Sequence, residues 1–291
     1  MRLKVAHILT GLAVLAAVCA PRAAAQNPDD MLPEQSTALA KKITGQLVEA
    51  LGGPAFLQAR EMQCSGRLAQ FEHSGNLAGY TIFQNSWNFP DKNRAEYIVK
   101  GSKLGILSVV VGNIPVKGGR LVQVFSGDHG WSLDRGGVSE LPPEIISQFQ
   151  EQLKRSVDNL LRFRLKEEGL TFRYGGLDLI DMLPVDWAEI TDSEGRQFRL
   201  AVSRSSHLLA RSVVTVPDQT TNDTTQETTI FANYHAIDGV ETPLQVSRQR
   251  DGRRLFQIFY DTCSYDPNLP PDFFSKESLK KYAPANSKKE Q

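Results

Sequence analysis

From residue 60 onward the chain is a run of short β-forming segments parted by turn residues, interrupted by a single helical stretch. Residues 80–89 alternate, with Thr81, Phe83, Asn85, Trp87 and Phe89 on one side. Pro90-Asp91-Lys92-Asn93 makes a turn, and 94–100 resumes as strand. Residues 104–111 are almost wholly apolar, which predicts burial on both faces. Residues 121–125 and 130–133 form a hairpin about Ser126-Gly127-Asp128-His129. Further segments follow at 170–174, 186–192, 198–203, 209–216, 228–235, 244–249 and 255–265, parted by breakers such as Ser193-Glu194-Gly195, Asp238-Gly239 and Asp251-Gly252. Strands at this spacing do not alternate with helices as βαβ units do, so the sheet is antiparallel. About eleven strands accumulate enough twist that the sheet must curl.

Two helices accompany the strands. The first, capped by Ser36 or Thr37, carries Leu39, Ile43, Leu47, Val48 and Leu51 at helical spacing and stops at Gly52-Gly53-Pro54. The second opens at Pro142-Pro143 and ends near Glu168-Gly169, with Ile146, Phe149, Leu153, Val157, Leu160 and Leu161 on one stripe. Its other side, Glu151, Lys154, Arg155, Asp158 and Arg162, reads as a solvated face. Apolar stripes this short must lie on something, so both helices are expected on the same side of the curled sheet, lidding a trough.

The first 25 residues read as a secretory leader: Arg2 and Lys4, an apolar stretch over 8–20, then Pro21 and Ala23-Ala24-Ala25 before the cleavage point. Val18 before Cys19 argues against a lipid anchor. Export to the periplasm is expected, with a polar lead-in at 26–33, a single domain over 34–282 and a polar tail at 283–291. Lys and Arg total 33, as do Asp and Glu, and the leader takes Arg2, Lys4 and Arg22 with it. The mature chain is therefore slightly acidic, which excludes a nucleic-acid binder built on basic charge. Cys64 and Cys263 remain near opposite ends; an oxidising compartment permits a bridge, and separate buried thiols are the alternative.

Catalytic signatures are missing. There is no G-x-S-x-G elbow, Walker loop, dinucleotide fingerprint or H-E-x-x-H, and His73, His129, His207 and His235 are far apart in sequence. Asp178 and Asp181 are paired acids that a solvated turn accounts for equally well. No enzyme activity, metal or cofactor is expected. The more informative signal is Phe83, Trp87, Tyr97, Val99, Trp131 and Leu133, which alternation would place on one face, lining an apolar cavity if the helices leave part of that face uncovered.

Several short motifs, in order, resemble the LolA/LolB-like periplasmic lipoprotein carriers and their outer-membrane lipoprotein-sorting relatives. They are Ala50-Leu51-Gly52-Gly53 with Gly66, Phe89-Pro90-Asp91-Lys92 with Arg94, and Gly127-Asp128-His129-Gly130-Trp131. Tyr234, Asp238-Gly239-Val240, Pro243 and Phe273-Phe274 complete the series. The resemblance implies an α+β fold, an unclosed and strongly curved antiparallel β-barrel with helices lidding its concave face. It also implies a monomeric carrier for a lipid acyl chain or lipoprotein, with an envelope membrane protein as a further partner. A protein-interaction or stress-sensing domain of the same fold is the alternative. Arg60, Arg67 and Arg94 all qualify for the carriers' gating arginine.

Overall fold

The computed structural model describes residues 27–72, 74–109, 112–217 and 224–281, with side chains throughout except at 99–118 and 216–217. Residues 1–26, His73, 110–111, 218–223 and 282–291 lie outside the described residues, and with them the segments read as leader and tail; so do the side chains of Val99 and of 104–111, on which the expected burial falls.

Thirteen strands form one antiparallel sheet. They are β1 (Glu61–Phe71), β2 (Leu77–Asn88), β3 (Lys92–Val109), β4 (Gly112–Ser126), β5 (His129–Asp134), β6 (Gly137–Glu140), β7 (Thr171–Ile180), β8 (Leu183–Thr191), β9 (Gln197–Ser203), β10 (Leu209–Pro217), β11 (Thr224–Ile237), β12 (Val240–Arg250) and β13 (Arg253–Tyr265). The sequence count of about eleven falls short because β1 and the short β6 lack an alternating signature. In the other direction, segment 94–100 and the described part of 104–111, residues 104–109, are one strand, paired with β4 across a register shift between Val99 and Leu104.

The sheet order is β6-β5-β4-β3-β2-β1-β13-β12-β11-β10-β9-β8-β7, a meander except at one seam, where β1 meets β13. Cys64 and Cys263 face each other across that seam with Cα atoms 4.1 Å apart, and they are bonded. Two residues on, a register shift brings the strands so close that a Cβ at Gly66 would run into the Phe259 carbonyl. Only glycine fits there without moving backbone.

Helix α1 (Pro33–Ala50) starts one turn earlier than its hydroxyls suggest, because Pro33 supplies the first helical φ. The Ser36 hydroxyl instead accepts from the Tyr174 amide at 2.9 Å, and Thr37 donates to the Phe172 carbonyl at 3.0 Å, pinning the helix to β7. Ile43, Leu47, Val48 and Leu51 join Phe56 of α2 (Pro54–Gln58) in the main core, against Ile190, Phe198 and Leu200.

The second predicted helix is broken. Helix α3 (Pro143–Arg155) stops at Ser156, whose backbone is extended and whose side chain caps α4 (Val157–Asn159); a π-helical turn, Leu160–Arg164, follows. The break resets the helical phase, so the two pieces cover different clusters: Phe149 stacks on Phe125 of β4, whereas Leu160 and Leu161 enter the main core. Because β6 and β7 are the two edges of the sheet, this connector must run from edge to edge across one face, which we call the inner face.

Curvature follows from the same connector. Phe149 touches β4 at a ring distance of 4.2 Å, and Arg155 reaches Glu227 of β11 at 3.7 Å. On a flat sheet those strands would lie about 29 Å apart, while the intervening helix rises only about 9 Å. The side chains cannot span the remainder unless the sheet curls around α3.

Candidate ligand-binding face

The inner face has two separately anchored covers. Helices α1 and α2 and the π-helical turn lie over β7–β12. Helix α3 lies over Trp87 and Phe125, and its one buried side chain is Phe149. Between them is a patch built from strand residues alone: Leu68, Phe83, Ala95, Tyr97, Leu121 and Phe256 are buried, with Ile258 and Tyr260 packed against them. Burial pushes the phenols of Tyr97 and Tyr260 well above their usual range, so both stay neutral.

The residues singled out from sequence divide between the two faces. Phe83 and Tyr97 are register partners inside the patch, and Trp87 shares their face beneath α3. Val99 pairs with Gly119 in the backbone ladder. Trp131 and Leu133 lie on the opposite face. The turn after β4 pairs Ser126 with His129, which sets Trp131 opposite Val124 and Leu133 opposite Val122. Those four pack under Phe273, Phe274 and Leu279 of the C-terminal segment. Alternation within each strand was legible, but phase between strands depends on register, and a one-residue offset exchanges the faces. Leu68, Leu121, Phe256, Ile258 and Tyr260 join the patch through the same register, which sequence does not reveal.

Arginine roles also differ from expectation. Arg94 is fully buried on the outer side, where it pairs with Glu96 at 2.8 Å, donates to Ser278 at 2.8 Å and stacks on Phe273. It clamps the C-terminal segment and does not gate the trough. Arg67 is exposed and paired with Asp261, and Arg60 is likewise exposed. Arg162, expected on a solvated face, is buried on the inner side: its side chain is 1% exposed and it pairs with Asp158 at 2.8 Å. Its guanidinium lies 3.9 Å from the Phe56 ring centroid and 4.6 Å from that of Phe89, and it donates to the Phe56 carbonyl. The break at Ser156 is what turns it inward.

Two open clefts border α1. One of about 570 Å³ is lined by Met31, Thr37, Phe172, Glu189 and Arg199; another of about 240 Å³ touches Leu39, Ile43, Val202 and His207. Among the described residues no group of His, Cys, Asp and Glu could hold a metal ion. Asp178 accepts from the Trp187 indole at 3.1 Å and from the Leu179 amide, which lowers its pKa and gives it a structural role.

Asp192 fixes the end of the connector. It accepts from Arg164 at 3.0 Å and Arg196 at 3.2 Å and from the amides of Glu194 and Arg196. Burial raises its pKa, but the two arginines and the amide bonds outweigh burial and hold it below the usual carboxylate range. A depressed pKa contributes stability that is present above the unfolded value near 4 and is lost as pH falls through the folded value. Asp192→Asn is therefore expected to cost about 2 kcal/mol at pH 7 and to flatten the acid limb of the melting-temperature profile. A variant with an unchanged acid limb would remove Asp192 from this role.

No protein-family model and no curated protein matches the chain. Solved structures do. A DUF1329 family protein from Desulfovibrio piger superposes with a TM-score of 0.52 at 12% identity, covering 84% of this chain and 99% of the other. A domain described as outer-membrane lipoprotein-sorting, from Vibrio parahaemolyticus, gives 0.50 at 10% identity, covering 86% and 100%. The chain shares its fold with these two proteins. A LolA superfamily protein from Nitrosomonas europaea gives 0.49 at 13% identity, covering 82% and 99%. Within this fold the connector between β6 and β7 crosses the inner face from one edge strand to the other. No described helix is long and apolar enough to cross a membrane.

Proposed function

We propose that the protein is an exported carrier that holds an acyl chain, of a lipid or a lipoprotein, against the inner face. The observation that carries this reading is the patch around Phe83, Tyr97, Leu121 and Phe256, whose apolar members among the described residues all come from strands. Helix α3 sits beside it, held by one fully buried side chain, Phe149, between Phe125 and Trp87. Swinging α3 away breaks those ring contacts, the packing of Ile145 and Leu153 and the approach of Arg155 to the buried Glu227, and it opens the patch at its edge. Burial does the binding: each methylene removed from water contributes about 0.8 kcal/mol, so no directional motif is needed and catalysis is not part of the reading. The similarity to a lipoprotein-sorting domain supports it. The Cys64–Cys263 bond supports export to an oxidising compartment such as the periplasm.

The test uses the purified full chain and a fluorescent fatty-acid probe. Phe149→Leu keeps an apolar latch but loses ring stacking of about 1 kcal/mol, so probe association is expected to quicken about fivefold with little change in melting temperature. Absence of probe binding to wild type, together with no lipid in solvent extracts, would end the carrier reading and favour a docking domain of the same fold.

A further inference from the structure

Three arginines converge on one carboxylate beside the patch. Glu227 of β11 is buried; it accepts from Arg250 at 2.8 Å and Arg248 at 3.3 Å, both on β12, and Arg155 of α3 approaches to 3.7 Å. Among the described residues the ion pairs of Arg155, Arg248 and Arg250 all run to Glu227, so one negative charge answers three positive ones. Arg155 also spends its Nε on the Glu151 carbonyl. Among the described residues the Nε of Arg248 is buried with no partner, a donor left unmet where nearly all buried donors are met. A folded chain tolerates this surplus more easily if an oxyanion completes the cluster, because charge-assisted bonds strengthen out of water.

Register joins this cluster to the patch. Arg248 pairs directly with Phe256, and Val246 pairs with Ile258 on the same side. Such partners have Cβ atoms about 5 Å apart, so the cationic cluster and the apolar patch form one continuous surface. Arg155 adds the end of α3, the cover expected to move.

We propose that Arg155, Arg248 and Arg250 bind the oxyanionic headgroup of an amphiphile whose chain lies on the adjoining strand-built patch. This rests on the carrier reading and narrows its cargo to anionic amphiphiles, with phosphate or carboxylate as the recognised group. Phosphate could also arrive free, and a lipid is favoured because the cluster opens onto apolar side chains.

Binding to the full chain is measured for three probes: dipalmitoyl phosphatidic acid, dipalmitoylglycerol, and inorganic phosphate. Wild type is expected to prefer phosphatidic acid to the uncharged lipid by about 10- to 100-fold. Arg248→Gln should bring the ratio of phosphatidic-acid to dipalmitoylglycerol affinity close to one, since Glu227 keeps Arg155 and Arg250. If this variant fails to fold, the more exposed Arg250→Gln gives the same comparison with a smaller loss. Equal affinity for both lipids, or a preference that survives both substitutions, overturns the headgroup site and leaves the carrier reading standing. Binding of inorganic phosphate alone, lost in Arg248→Gln, overturns the amphiphile and the carrier together. No binding of any probe overturns both as well.

Discussion

Replacing both Cys64 and Cys263 by alanine is expected to cost about 5 kcal/mol of stability, because the bond ties residues 199 positions apart. For a domain of this size that corresponds to a melting temperature lower by roughly 10–20 °C. The argument is topological. Apart from the β1–β13 seam the sheet is a meander of sequential neighbours, so the seam is the one place where distant halves of the chain must find each other within the sheet. The bond removes that search from the unfolded ensemble, and loop-closure entropy grows with the length closed. Alanine is the right replacement because Cys64 is buried, and a serine hydroxyl would add an unrelated desolvation cost. Thermal and urea melts with and without reductant check it: reductant should lower the wild-type midpoint by the same amount and leave the double variant unmoved. A shift of only a degree or two would show that the unfolded chain keeps the seam together by other means.

Local rules made most of the architecture legible. Breakers such as Asp238-Gly239 and Asp251-Gly252 mark turns where aspartate and glycine both take positive φ, the conformation that two-residue hairpins demand. The stripe Ile43, Leu47, Val48 identified the buried side of α1 because nothing interrupts its period. Two features were hidden. Phase between strands is set by bulges and turns, so Trp131 and Leu133 could alternate correctly and still fall on the outer face. A helix break costs only a local change of ψ, and Ser156 resembles any polar helical residue until its side chain is seen capping Asn159. The arginine cluster was invisible for a related reason. Arg155, Glu227 and Arg248 lie on three elements, and sequence does not reveal that curvature brings α3 onto β11.

That same break makes Arg162 the residue whose loss should most disturb the cover. Arg162→Met is expected to cost about 3–4 kcal/mol, since it removes a buried charge-assisted bond and two desolvated cation–ring contacts and leaves the Phe56 carbonyl without this donor. Methionine matches the length and flexibility of the stem, so little of the loss comes from a void. Arg162→Lys should recover only part of it, because an ammonium cannot serve ring, carbonyl and carboxylate at once as the planar guanidinium does. Asp158→Asn should cost less than 1 kcal/mol, its carboxylate being 43% exposed. The location of the damage matters more than its size. Arg162 joins α2, the β2–β3 turn at Phe89 and the π-helical turn. Faster amide hydrogen exchange is therefore expected over 54–58 and 156–164, with the β1–β13 seam unchanged. Under the carrier reading, bound chain should also leave Arg162→Met faster than wild type. Uniform exchange across the sheet would mean that Arg162 supports the whole core and that the cover does not move as a separate unit.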